Sequence, residues 1–155
     1  MQVADPLTLY LKPDNMFVAS FIGGPPMNLF QGKVQKRADG LYFVENGEQE
    51  NLVVPLKGPL EPLAGKYIDK AVVFGIRPEN ISDTPNTGSS TSVTFTVDIA
   101  EPMGSESIVY LKTGTGYLIA RIPGEHLYEL GQKLTVHFNP DKVTLFDPET
   151  QQVIS

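Results

Sequence analysis

Apolar residues recur at two spacings along this chain, and the change falls near residue 27. Before it, Leu7, Tyr10 and Leu11 share one helical face behind Asp5-Pro6, and Phe17/Phe21 and Val18/Ile22 are i,i+4 pairs behind Asp14. Asp is a good N-cap and Pro suits the first helical position. Pro13 stops the first stretch; Gly23-Gly24 and Pro25-Pro26 end the second. Residues 1–24 therefore predict a short helical hairpin, apolar over much of its surface, that must pack on the rest of the chain or on a partner.

From Met27 onward the period is two. In Val93-Thr94-Phe95-Thr96-Val97-Asp98-Ile99 every odd position is apolar and every even one polar, the pattern of a half-buried antiparallel strand. Leu134–Phe138 repeats it. Further strands are expected at Leu29–Val34, Leu41–Val44, Leu52–Val54, Ala71–Ile76, Ile108–Leu111, Tyr117–Ile122 and Val143–Phe146. Turn residues separate them: Asp39-Gly40, Asn46-Gly47, Thr113-Gly114-Thr115-Gly116 and Asn139-Pro140-Asp141. Short strands at this spacing, without long helices between them, predict a barrel or sandwich. Gly58–Asp69 and Pro123–Gln132 interrupt the pattern, and each has room for a short helix or 3₁₀ turn. Ser82–Ser92 is rich in Ser, Thr, Pro and Gly and reads as a mobile surface loop. Arg77-Pro78-Glu79-Asn80-Ile81 faintly echoes Asn139-Pro140-Asp141-Lys142-Val143. Two similar strand corners account for the echo, and a duplicated half-barrel is the alternative.

The chain has 155 residues, enough for one domain or a domain with a small appendage. Its 12 basic and 18 acidic residues leave a net charge of −6, which argues against nucleic acid or anionic lipid as primary partner. Cysteine is absent, which removes disulfides, thiolate metal sites and cysteine nucleophiles. His126 and His137 stand alone, so no metal site is expected. There is no P-loop and no Gly-x-Ser-x-Gly elbow. Gly114-Thr115-Gly116 lacks the third glycine and the following helix of a dinucleotide fingerprint. The acidic pairs Glu48/Glu50 and Glu101/Glu106 read as solvated rims. No basic leader region precedes an apolar run, and the longest run, Met16–Ala19, falls far short of the roughly 20 residues a spanning helix requires. A soluble cytoplasmic chain that is not itself an enzyme is expected.

Three segments, in order, resemble the C-terminal part of the ATP-binding subunit of carbohydrate ABC importers of the maltose and glycerol-3-phosphate type. They are Gln2–Asn28, then Val73–Ile81 (VFGIRPENI), then Ile99–Tyr110 (IAEPMGSESIVY) with the stretch that follows it to Ile154. The resemblance implies a mainly β fold: an OB-like antiparallel barrel with added strands, of the transport-associated OB (TOBE) type. It divides the chain into a helical remnant of a nucleotide-binding domain, 1–24, and an OB-like regulatory domain, 25–155. It implies a regulatory and dimerisation domain whose parent subunit couples ATP hydrolysis to uptake of sugars or sugar phosphates. ATP and Mg would belong to the nucleotide-binding domain, so no cofactor and no catalytic residue is carried here. The implied partners are a second copy, the parent's nucleotide-binding domain, a regulatory protein and, indirectly, the membrane permease. The implied location is the inner face of the cell membrane.

Arg77 and Glu79, flanking Pro78 at a strand end, and Glu101, Gly104 and Glu106, in the EPMGSE turn, are the candidate contacts for a partner or effector. Their alternatives are an ion pair fixing a corner and a plain solvated turn. Phe17, Phe21, Ile22, Met27 and Asn28 are the candidates for a domain or dimer interface, with packing on the barrel as the alternative. The competing function is a sensing OB module for a sugar or oxyanion. A single-strand nucleic-acid OB module ranks last, because there is no Trp and Lys33, Lys36 and Arg37 are the only basic cluster.

Overall fold

Among the residues described by the computed structural model (26–85, 90–124 and 127–154) there are ten strands, nine of them where the alternation placed one. The helical hairpin expected over 1–24 lies outside these residues. The strands are β1 (Asn28–Arg37), β2 (Gly40–Glu45), β3 (Val53–Pro55), β4 (Ala71–Ile76), β5 (Ile81–Ser82), β6 (Thr91–Pro102), β7 (Glu106–Lys112), β8 (Tyr117–Pro123), β9 (Lys133–Phe138) and β10 (Thr144–Phe146). The unanticipated one is β5, two residues long and too short to show a period. The Gly58–Asp69 interruption holds a short helix, α1 (Leu60–Ala64), followed by a 3₁₀ turn, Gly65–Tyr67. The described part of Pro123–Gln132 holds no helix.

All strand pairings are antiparallel, in two five-stranded sheets ordered β10-β4-β1-β2-β3 and β5-β9-β6-β7-β8. Each sheet contains four consecutive strands in the order fourth-first-second-third, which is a Greek key. The two keys repeat one register. Asn28↔Ile76 and Lys33↔Ala71 in the first correspond to Thr91↔Phe138 and Thr96↔Lys133 in the second. After its fourth strand each key turns a corner and lends a fifth strand to the other: β5 pairs with β9, and β10 with β4.

Those corners are the two echoing segments. Pro78–Asn80 and Pro140–Lys142 are both 3₁₀ turns opened by proline after an extended residue, Arg77 or Asn139. Proline suits that place because its fixed φ starts the turn and no N–H is lost there. The two corners therefore hold equivalent places in a repeated topology.

The facing sides of the sheets enclose one core to which both keys contribute. Phe43 stacks on Phe74 at 5.0 Å, and Phe74 meets Phe138 edge-on at 6.3 Å. Each fully buried side chain of this size contributes roughly 1.5–3 kcal/mol. A satellite cluster of Met27, Val73 and Phe146, with Leu29 and Val153, packs separately. At the far end of the second sheet, β8 packs back against β5 and the Pro78 corner, so the whole is an OB-like, mainly β barrel.

The alternation of β6 does not run as the sequence suggests. A bulge between Val97 and Ile99 inserts Asp98, and pairing continues as Ile99↔Tyr110. One extra residue reverses which face the following side chains occupy. Phe95 and Val97 are therefore buried while Ile99, the last odd apolar position, faces outward and is 40% exposed.

Candidate functional site: the outer face of the second sheet and its joint

Two buried polar side chains join the keys beside β8. Glu45, at the end of β2, is 2% exposed. Its Oε1 accepts from the backbone N–H of Leu52 (2.8 Å) and Gly114 (3.3 Å). Its Oε2 accepts from Thr113 Oγ1 (2.9 Å), Thr115 N (2.8 Å) and Thr115 Oγ1. The Gly-Thr-Gly turn is thus a cradle for a carboxylate of the same chain, which clamps the β7–β8 hairpin to the first sheet. Asn28 does the second job. Its Nδ2 donates to the Ile119 carbonyl and its Oδ1 accepts from the Ile119 N–H, both at 2.9 Å. The side chain pairs with β8 much as a neighbouring strand would.

This placement bears on the expected contacts. Met27 and Asn28 are both buried inside the domain, one in the satellite cluster and one against β8. Phe17, Phe21 and Ile22 lie outside the described residues. Arg77 is 5% exposed at the β4 corner, and burial pushes its pKa down. Glu79, on the same turn, keeps Oε1 buried without a hydrogen-bond partner among the described residues. Its charge reaches Arg121 on β8, whose pKa is raised first by Glu106 and further by Glu79. Glu106 accepts from Arg121 Nε at 2.8 Å, and that bond holds its carboxyl below the usual range. Gly104 turns the β6–β7 hairpin with φ +78°, a left-handed value that favours glycine. The Met103 N–H donates to the Glu106 carbonyl at 2.7 Å across that turn.

Glu101 and Glu106 therefore share one surface with residues the sequence did not single out. Outward positions on β6, β7 and β8 form cross-strand rows: Ile99–Tyr110–Ile119, and beside it Glu101–Ile108–Arg121. Tyr117, opposite Lys112, stands in the next row and reaches the first one diagonally. Its ring meets Tyr110 edge-on at 5.9 Å, Lys112 Nζ lies 5.5 Å from its centroid, and its hydroxyl donates to Asp98 at 2.6 Å. Among the described residues, the large apolar side chains with the most exposed surface are Ile99, Met103, Tyr117, Leu127 and Leu130, all in the second key. A sequence signal for this face existed. Ile108–Leu111 and Tyr117–Ala120 are unbroken apolar runs, as expected of strands covered on both faces.

The surface offers apolar contact and paired charges of both signs, which is the chemistry of binding. Among the described residues no three His, Asp or Glu side chains gather as a metal ion would need. No described helix is long and apolar enough to cross a membrane.

Comparison with known proteins agrees in both fold and sequence. Residues 23–81 match the MalK OB fold domain family and residues 74–146 the TOBE domain family, so the two matches overlap across the first crossover. The chain is 38% identical to the oligosaccharides import ATP-binding protein MsmX of Bacillus subtilis, over 97% of this chain and 40% of that protein. It is 36% identical to the multiple sugar-binding transport ATP-binding protein MsmK of Streptococcus mutans, over 99% and 40%. To the sn-glycerol-3-phosphate import ATP-binding protein UgpC of Shigella sonnei it is 32% identical, over 97% and 39%. The chain thus spans about 40% of the length of these relatives. Among solved structures, the molybdate-bound cytoplasmic protein ModG shares the fold with a TM-score of 0.56, 18% identity and coverage of 78% of this chain and 96% of that one. Residues 23–81 and 74–146 thus resemble OB and TOBE domain families, and the chain along nearly its whole length resembles part of ATP-binding proteins of sugar transport.

Proposed function

We propose that this chain is the regulatory and dimerisation module of a subunit whose other part hydrolyses ATP to drive uptake of sugars or sugar phosphates. The observation that carries the reading is similarity from end to end of the chain to importer ATP-binding proteins, in a sequence without nucleotide-binding motifs. Under this reading residues 1–24 belong with the nucleotide-binding domain and residues 25–155 form the regulatory domain. The subunit sits at the inner face of the membrane, held there by the permease. Names of relatives favour oligosaccharides and glycerol phosphate as solute classes. Arg77, Glu79, Glu101, Gly104 and Glu106 are the proposed region for a partner or effector. A partner acts on transport only through differential affinity for the open and closed arrangements of the subunit pair.

The test is titration calorimetry with ATP and Mg beside sedimentation analysis. The expected outcome is no nucleotide binding and measurable self-association; stoichiometric ATP binding would falsify the assignment. The alternative, a sensing module for a small solute, draws on the fold likeness to a molybdate-binding protein. A thermal-shift screen with sugars, sugar phosphates and oxyanions separates the two, and a saturable shift favours the sensor.

A further inference from the structure

On the outer face of the second sheet, β7 divides apolar residues symmetrically and charges antisymmetrically. Ile99 on β6 and Ile119 on β8 flank Tyr110, whereas Glu101 on β6 and Arg121 on β8 flank Ile108. We propose that two copies of the chain pair through this face, about a two-fold axis that runs along β7 in the plane between the sheets. That axis sets β6 of one copy over β8 of the other. Tyr110 then meets its own counterpart, Ile99 meets Ile119, and Glu101 meets Arg121 of the second copy, each cross-contact occurring twice. The inference rests on the reading of this chain as a self-associating module, and adds the face and the register.

Three observations favour a second copy as occupant. The Asp98 bulge re-aims Ile99 outward, where a regular strand would bury it. The Arg121 side chain is 38% exposed and spends Nε on Glu106, which leaves the guanidinium at the surface and oriented from within its own chain. Finally, Glu101 and Arg121, the charges on either side of β7, complement each other after the two-fold turn, while on β7 itself Glu106, bonded to Arg121, and Lys112, beside Tyr117, face their own counterparts. A partner of one sign would be repelled by half of it. The charges fix the register, and the apolar row supplies contact area.

The experiment compares the full chain with Glu101→Arg, with Arg121→Glu, and with an equimolar mixture of these two variants, by sedimentation equilibrium. The wild type should pair. Each variant alone should pair roughly tenfold or more weakly, because it places two like-charge contacts in the interface. The mixture should recover, since each variant supplies the charge that the other lacks. Arg121→Glu also loses its bond to Glu106, so Ile99→Lys serves as a variant that touches no ion pair and should likewise weaken association. Circular dichroism melts confirm that the variants fold. Variants that pair as tightly as wild type overturn the face while leaving self-association intact. Weakened variants whose mixture does not recover overturn the register. A wild-type chain that stays monomeric removes the face and the self-association reading together.

Discussion

At equivalent points of the two Greek keys, Gln35, Tyr42 and Pro55 cross the outside of the first sheet, and Ile99, Tyr110 and Ile119 cross the outside of the second. The tyrosine is shared and its surroundings are opposite. Arg37 lies over the Tyr42 ring at 4.6 Å, and the Tyr42 hydroxyl donates to Asp39 at 2.6 Å, so this face is finished with its own charges. Pro55 withholds a donor on the edge strand β3, which discourages further pairing. In the second key the places of Gln35 and Pro55 hold isoleucine. The interiors differ in a compensating way. Gly32 leaves room for the Phe43 ring, while at the matching register Phe95 fills the space beside Leu111. One backbone plan thus tolerates exchange of volume between neighbouring strands inside, and carries different chemistry outside.

The strongest challenge to this picture is the shared core. Phe74→Ala removes the ring that touches both Phe43 and Phe138 and should cost about 3–5 kcal/mol. Calorimetry should still record a single transition; two resolved transitions would show keys that fold independently. Next comes the clamp. Glu45→Ala leaves its buried donors unanswered and should cost about 3 kcal/mol in urea denaturation, and Glu45→Gln nearly as much. Gly32→Ala should cost roughly 1–3 kcal/mol, because a Cβ there would lie 2.6 Å from the Phe43 ring and against the Val44 carbonyl. A neutral result would mean that Phe43 is free to move and the volume exchange is incidental.

The smallest effects concern pH. Glu106 has a lowered folded pKa, from its bond with Arg121. Its contribution is present above the unfolded carboxylate value and fades as pH falls through the folded one. Arg121→Gln should flatten that acid-side slope of stability. Burial first, then Asp83, pushes the Tyr128 hydroxyl up from 10.0 to about 12. Stability from this group is full below pH 10 and declines towards about 12. Tyr128→Phe should remove that decline, and the late phenolate signal in ultraviolet titration should go with it.

Much of the fold was legible because most strands expose one polar face and announce themselves by alternation. The rest failed for physical reasons. β5 is held by its place between corner and barrel, a tertiary cause with no local trace. The bulge at Asp98 is invisible to a period count, since the alternation in Val93–Ile99 is unbroken as written. The site was half legible. Glu101 and Glu106 stood out at a turn, but Arg121 and Tyr110 belong with them only through register across three strands. Glu45 reads as an ordinary polar residue and Asn28 as a candidate for an interface, because nothing in their neighbourhoods foretells a partner some seventy or ninety positions away in the same domain.

The exchange of fifth strands has one more consequence. Cleaving the backbone between Ser82 and Thr91 severs no strand pairing, because each resulting piece holds an edge strand of the other's sheet. The two pieces would remain interlocked, and separately made fragments should find each other and reconstitute the barrel.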